Sequence, residues 1–251
     1  MRSLCALLFC VTGVSLCRET VRRALHKLGF SFKKAHKLLG KASPERRAEF
    51  VRELAAWVRA AEQPDGPLLA FVDEAHLHLD ADPGHGWALR GKRLYVNSNS
   101  PALAQKRTCF GVYLYGAADP VQIHSTGWAN SETTCQMLIA LRAAHPHRPL
   151  VLVWDNVCYH HSKKVREQAA KLGIRLVYLP PYSPDLMPVE RLWSWLRQEL
   201  TYLHCHADPA ELLDRIAAFV ERLQDTPQQV HRRLYPKLHL DPDHEKLLVS
   251  A

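Results

Sequence analysis

Residues 150–179 read LVLVWDNVCYHHSKKVREQAAKLGIRLVYL, and this stretch decides the fold class. Leu150 to Trp154 is a continuous apolar run, the pattern of a strand buried on both faces. Ser162 to Leu172 reads as a helix that Ser162 caps and Gly173 ends. Ile174 to Leu179 is a second apolar run of strand length. Strand, helix and strand in succession is the alternation of an α/β sheet.

Working outward, Leu68 to Leu79 reads as a strand, and Thr108 to Ala117 with Val121 to Gly127 as a hairpin around Ala118-Asp119-Pro120. Ser131 to Ala144 is helical. Pro180 to Pro188 holds four prolines and forms a rigid loop. Val189 to Leu200 is amphipathic, with Val189, Leu192, Trp193, Leu196 and Leu200 on its buried stripe. The expected fold is therefore a mixed α/β sheet flanked by helices.

Toward the N-terminus the character changes. The first 60 residues carry 13 Lys and Arg against 4 acids, whereas the other 191 carry 20 against 21, so the net charge of +8 is confined to the first quarter. A basic module on a near-neutral body implies a polyanionic partner, most simply nucleic acid. Leu4 to Cys10 reads as a short apolar helix, Thr12-Gly13 as a turn, and the stretch from Ser15, as cap, to Gly29 as a basic helix. That is a helix-turn-helix arrangement, with Arg18, Arg22, Arg23 and Lys27 on the second helix and Lys33, Lys34 and Lys37 in a basic arm behind it. Ser43-Pro44 opens a connecting helix with Val51, Leu54, Val58 and Ala61 as its apolar stripe. Gln63 to Pro67 (QPDGP) breaks the chain. Three segments are expected: 1–62 basic helix-turn-helix and connecting helix, 68–205 sheet domain, and 206–251 helical extension.

Seven cysteines at scattered spacings, with no C-x-x-C pair, make neither a disulfide framework nor a zinc site. Met1 to Leu16 has the charged start and apolar stretch of a signal peptide but no small-x-small cleavage site, and it is too short to span a membrane. A cytoplasmic protein with reduced thiols is expected.

Three acids carry the candidate chemistry. On the strand around Asp73, period two puts Leu69, Phe71, Asp73, Ala75, Leu77 and Leu79 on one face, so Asp73 is the only charge on an apolar surface. Such a carboxylate is costly unless paired or bound to a cation. Glu74 lies among His76, His78 and Asp80 on the other face and is expected to be solvated. Asp155 directly follows the run LVLVW, at the carboxyl end of a buried strand where sites of open α/β sheets gather. Glu190 lies in the first turn of the helix begun by Pro188, at the border of core and solvent. Each acid alone also reads as an ordinary structural residue: an Asp bonded to backbone amides, a helix cap, and a first-turn Glu. Together, acids on two strands and one helix suit two-metal phosphoryl transfer, which needs carboxylates converging on divalent cations.

The strings D-N-x-x-x-H-H at 155–161 and L-P-P-Y-S-P-D-L-x-P-V-E-R-L-W at 179–193, with 34 residues between Asp155 and Glu190, resemble the bacterial insertion-sequence transposases of the Tc/mariner branch of the DDE superfamily. F-V-D-E at 71–74 and G-W-A-L-R-G-K at 86–92 resemble the first-acid region of that family. The resemblance implies an RNase H-like fold and Asp73, Asp155 and Glu190 as catalytic metal ligands for two Mg²⁺ or Mn²⁺ ions. It implies Asn156 and His160 as active-site neighbours, His160 not being a ligand. The implied reaction is cleavage of double-stranded DNA at terminal inverted repeats, then strand transfer into target DNA, by a homodimer or larger assembly.

The chain departs from the family in two ways: Met187 stands where Asn is usual, and there is one helix-turn-helix at most where two are usual. A remnant that only binds DNA is the alternative. A metal-binding protein using His76-x-His78 with Asp73 or Glu74 is a weaker one, because those histidines face away from Asp73.

Overall fold

Alternating apolar character makes β1 (Leu68–His78) the centre of a five-stranded sheet of order β3-β2-β1-β4-β5. Here β2 is Lys106–Leu114, β3 Val121–Thr126, β4 Leu150–Trp154 and β5 Ile174–Tyr178. β1 and β3 each pair antiparallel with β2, while β1–β4 and β4–β5 are parallel. The mixed sheet expected from the sequence is thus present, with the antiparallel hairpin on one side and the parallel strands on the other. The computed structural model describes residues 2–32, 42–98 and 106–240.

Each face of the sheet has its own core, because successive side chains point to opposite sides. Leu69, Phe71, Ala75 and Leu77 of β1 pack with α3 (Pro44–Ala61), α6 (Val189–Leu200), α7 (Pro209–Gln224) and α8 (Pro227–Arg233). Leu68, Ala70 and Val72 pack with α4 (Ser131–Ala144) and α5 (Lys163–Lys171). Val189, Leu192, Trp193, Leu196 and Leu200 of α6 are all buried, as its periodicity requires. Burial of each large apolar side chain contributes about 1.5–3 kcal/mol, so α6 has one strongly preferred rotation on the sheet. α4 is capped by a reciprocal box between Asn130 and Thr133, and α5 by Ser162, whose hydroxyl accepts from Val165 N at 3.3 Å.

The chain divides into two compact units, residues 1–38 and 39–251. The connecting helix expected to belong with the basic segment is α3, and it belongs with the sheet: Phe50, Val51, Leu54 and Val58 join the core beneath β1. The QPDGP break therefore ends a helix without ending a packing unit. The segment after 205 is likewise part of the sheet domain, since Leu212, Ile216, Phe219, Leu223, Val230 and Leu234 complete the same core.

In the first unit, α1 (Arg2–Thr12) and α2 (Arg18–Lys27) flank a turn at Gly13, whose φ of 70° favours glycine. Ser15 is not the cap of α2; Cys17 occupies that position without a side-chain cap bond. The Thr12 hydroxyl oxygen accepts from Val14 N at 3.2 Å, which holds the chain in the turn and delays the helix. Arg18, Arg22, Arg23 and Lys27 are exposed on α2, and Glu19 forms a two-bond ion pair with Arg22 at 2.7 and 2.9 Å. Lys33, Lys34 and Lys37 lie outside the described residues. Among the described residues no helix is long and apolar enough to cross a membrane, and the seven cysteines are free.

Candidate active site

Strand register brings the first two acids together. Phe71 of β1 is level with Val153 of β4 in the parallel pair, so two residues further along Asp73, still within β1, comes beside Asp155, the first residue past β4. Asp73 lies on the α6 side of the sheet, two residues on from the core member Phe71. Opposite Asp73 on β2 stands Gly111. A Cβ there would meet Trp193 Cζ2 at 2.5 Å and Val189 Cγ1 at 3.1 Å, so the missing side chain lets α6 lie directly on the strand. Trp193 Nε1 donates to Asp73 Oδ2 at 3.2 Å. That contact fixes the helix beside Asp73, and Glu190 follows one turn back on the same helix, exposed to solvent.

The charge balance at Asp73 is unusual. Burial, then the neighbouring carboxylates of Glu190, Glu74 and Asp155, push its carboxyl up to about 8. Asp155 behaves oppositely. Burial opposes its ionisation, but the His160 ring and the Val157 amide outweigh burial and hold it below the usual range. Val157 N donates to Asp155 Oδ1 at 3.1 Å and His160 Nδ1 donates to the same oxygen at 3.0 Å.

His160 is fully buried and stacks on Trp154 with ring centroids 4.2 Å apart. Its Nε2 donates to Glu74 Oε1 at 2.8 Å. Glu74 is therefore not solvated, as its polar sequence neighbours suggested: its side chain is 10% exposed and clamps His160 from the far side. Both ring nitrogens face carboxylates, so both carry hydrogens. Burial works against the imidazolium, yet the two acids raise its pKa to about 9.

Asn156 has a different task. Its amide donates to the Leu179 carbonyl, and its own oxygen accepts from His161 Nε2 at 3.1 Å, tying the end of β4 to the start of the proline loop. In that loop Tyr182 has a φ of 58°, an uncommon conformation for a side chain of its size. Met187, the departure from the family pattern, is buried in the core.

The loop is anchored at Asp185, which accepts two bonds from the buried Arg47 guanidinium of α3 at 2.8 and 2.9 Å and one from Lys237 at 3.1 Å. Sequence reading missed Arg47 and Asp185. The lone Arg on the inner side of a helix whose neighbours at 50, 51 and 54 are apolar was the available signal. Two clefts flank the acids. One of about 440 Å³ is lined by Asp155, Asn156 and the loop from Leu179 to Pro184, and another of about 530 Å³ by Glu74, Glu190, Trp193 and Arg197.

The two shifted groups imply a pH dependence. An unfolded Asp titrates near 3.9, so folding takes up a proton at Asp73 between about 4 and 8, and stability falls as pH rises through that window. His160 acts in the same direction, since its raised pKa contributes stability that is lost as pH rises toward 9. In chelator, the chain is expected to melt at a higher temperature at pH 5 than at pH 8, and Asp73→Asn to flatten the difference. An unchanged slope in that variant would mean that Asp73 is not the strained acid.

A mixed sheet of this order, with Asp73 inside its central strand, Asp155 just past the end of the neighbouring strand and helix α6 laid across it, is an RNase H-like fold. A family model described as DDE superfamily endonuclease matches residues 68–212, and the chain belongs to that family. A winged helix-turn-helix model matches residues 1–54. The chain is 27% identical over 224 residues to an insertion element IS630 39 kDa protein of Shigella sonnei, covering 88% of this chain and 63% of that protein. It thus spans under two thirds of that relative's length. A second relative, an uncharacterized protein of Sinorhizobium fredii, is 25% identical over 123 residues, 47% of this chain and 89% of the relative. Among solved structures, the Mos1 strand transfer complex matches with a TM-score of 0.65 at 14% identity, over 94% of this chain and 74% of the other. The Mos1 paired-end complex with the left transposon end matches with 0.63 at 14% identity, over 93% and 77%. These likenesses establish the fold.

Proposed function

We propose that this chain is a DDE transposase that cuts double-stranded DNA at the ends of its element and joins the freed ends to target DNA. One arrangement supports the reading best: Asp73 and Asp155 occupy neighbouring positions on adjacent strands, and Trp193 of α6, one turn from Glu190, packs over Gly111 and bonds Asp73. The relationship to an insertion-element protein supports the substrate class, as does the Mos1 match to a complex with transposon-end DNA.

The donor set fits Mg²⁺ or Mn²⁺. It consists of carboxylate oxygens, the preferred ligands of hard cations, and burial together with the neighbouring carboxylates of Glu190, Glu74 and Asp155 disfavours the charged form of Asp73, a cost that a bound cation would offset. Asp73, Asp155 and Glu190 are the residues that would hold two such ions. Bound there, the ions supply a lowered pKa for the attacking water or 3′-hydroxyl and stabilisation of the leaving oxygen. The protein's own groups orient the acids. Glu74 and Asp155 grip His160 from both sides, which fixes the Asp155 carboxylate. Trp193 fixes Asp73. Arg197, lining the cleft with Glu190, offers a cation to a backbone phosphate.

The test is nicking of DNA carrying the flanking inverted repeats, in Mg²⁺ or Mn²⁺, with Glu190→Gln beside the wild type. Glu190 is the most exposed acid, and its loss is expected to slow nicking by about two orders of magnitude, equivalent to ~3 kcal/mol of barrier. Binding without nicking by the wild type would leave a DNA-binding remnant.

The exposed cations of α2, with Lys33 and Lys34, are proposed to bind phosphates, and two copies of the chain to hold paired ends. Replacing Arg18, Arg22, Arg23 and Lys27 together by Gln is expected to weaken binding to all sequences. For every phosphate that is no longer neutralised, the slope of log affinity against log salt should fall by about 0.9. An unchanged salt slope in a titration followed by fluorescence anisotropy would move the interface elsewhere.

A further inference from the structure

Beyond the end of α6, the chain reads T-Y-L-H-C-H-A-D-P-A-E from 201 to 211, and three of its metal-binding side chains, none used by the three-acid site, come together: His204, His206 and Glu211. We propose that His204, His206 and Glu211 form a second cation site, selective for a borderline-soft divalent ion such as Zn²⁺, that fastens α7 to the end of β1.

The backbone sets the three donors. Leu203 N donates to Asp82 O at 3.0 Å, Asp82 N to Thr201 O at 2.8 Å, and His206 N to Leu79 O at 2.8 Å, so this segment is stitched to the residues just after β1. Leu203 has a φ of 57°, a left-handed turn that redirects the chain immediately before His204. Glu211 comes from the first turn of α7, where Asp208 already caps Ala210 N and Glu211 N. The second Glu211 oxygen accepts from Ala207 N at 2.7 Å, which leaves Oε1 turned to the histidines. A ligand oriented by a hydrogen bond to its other atom is the usual arrangement around a bound metal.

The distances match a coordination sphere. His204 Nε2 lies 3.3 Å and His206 Nδ1 3.6 Å from the same Glu211 oxygen, and all three donor atoms fall within 4.8 Å of one another. Bonds of about 2.0–2.1 Å around a tetrahedral Zn²⁺ put neighbouring ligands roughly 3.3–3.5 Å apart. The two imidazoles meet edge to face, centroids 4.8 Å apart and planes at 73°. His206 is fully buried, and burial disfavours a charged imidazole. A neutral ring keeps a lone pair for a metal. His204 and Glu211 are 44% and 37% exposed, which leaves an open side for entry and for a water as fourth ligand.

Donor chemistry separates this site from the carboxylates. Two imidazoles and one carboxylate suit Zn²⁺, Co²⁺ or Ni²⁺, whereas Mg²⁺ prefers oxygen alone. Without an ion, the same geometry serves as a hydrogen bond from His204 Nε2 and a longer 3.6 Å contact from His206 Nδ1 to one carboxylate oxygen, and the experiment must tell these apart.

The full-length chain, stripped by chelator, is dialysed against Zn²⁺ in excess Mg²⁺, and bound zinc is counted beside its thermal melt. Wild type and Asp155→Asn are expected to retain one zinc per chain that raises the melting temperature. His204→Ala and Glu211→Gln are expected to bind it at least about 100-fold more weakly and to lose the shift. His204 is half-exposed, so its removal spares the core; a metal-free melt of each variant verifies folding. In the wild type, Co²⁺ should give the intense visible bands of a tetrahedral nitrogen and oxygen site. Zinc retention by His204→Ala equal to wild type, no zinc on the wild type in Mg²⁺, or an octahedral Co²⁺ spectrum each overturns the site.

Discussion

Asp155→Asn is expected to lower metal-dependent cleavage by at least about three orders of magnitude, ~4 kcal/mol of barrier, while DNA affinity stays within about twofold. The amide keeps the size of the side chain and one oxygen, so β4 and its turn should fold as before. What it removes is the charge that His160 and the Val157 amide stabilise. Of the acids on β1 and β4, Asp155 is the one held below its ordinary pKa; Asp73 is pushed the other way. Of these two aspartates, Asp155 is thus the one whose ionised form the fold favours. The loss should also spread to His160, whose imidazolium would keep Glu74 as its one remaining acidic partner of the pair. Nicking of supercoiled plasmid carrying the element ends, with binding followed in parallel, measures both effects. Cleavage at wild-type rate would remove Asp155 from the reaction.

The largest expected effect on stability comes from a residue that touches no substrate. Asp185→Ala should destabilise the chain by about 2–4 kcal/mol, because it strips the fork of bonds from an Arg47 side chain that is 1% exposed. A fully enclosed pair would cost more; Asp185 is 40% exposed, and water tempers its loss. For a chain of this size about 2–4 °C of melting temperature accompanies each kcal/mol, so a fall of roughly 4–16 °C is the readout in thermal denaturation. Arg47→Lys keeps the charge but loses the two-pronged geometry and should fall between. Because Asp185 sits in the turn from Pro184 to Leu186 that leads into α6, cleavage should decline with the anchor even below the melting range. A melting temperature within a degree of wild type would show the loop to be held by its prolines and by buried Leu186 and Met187.

Much of this architecture was legible in local sequence. The run at 150–154, the helix at 131–144 and the stripe of α6 have the element bounds that their patterns imply, since hydrophobic periodicity and caps act within a few residues. Asp73 stood out as a lone acid on an apolar face because strand alternation is itself local. Glu74 was misjudged for the same reason. Its neighbours along the strand are polar, but its surroundings are set by His160, 86 residues away. The packing of α3 beneath β1 was not legible either, because a Gly-Pro break is visible in sequence whereas the core the helix packs into is not.

The sequence alone determined the main strands and helices and the concentration of positive charge near the N-terminus, and it singled out three acids as candidates, all from short-range pattern and from spacing within recognisable motifs. The tertiary structure decided which acids share a space, which is ionised, and what holds them. The pKa of Asp73, the clamp on His160, the close fit of Trp193 over Gly111 and the Arg47–Asp185 anchor each depend on residues between 82 and 138 positions apart. Burial and electrostatic coupling are properties of distance in space, and no pattern along the chain encodes them before the sheet has formed.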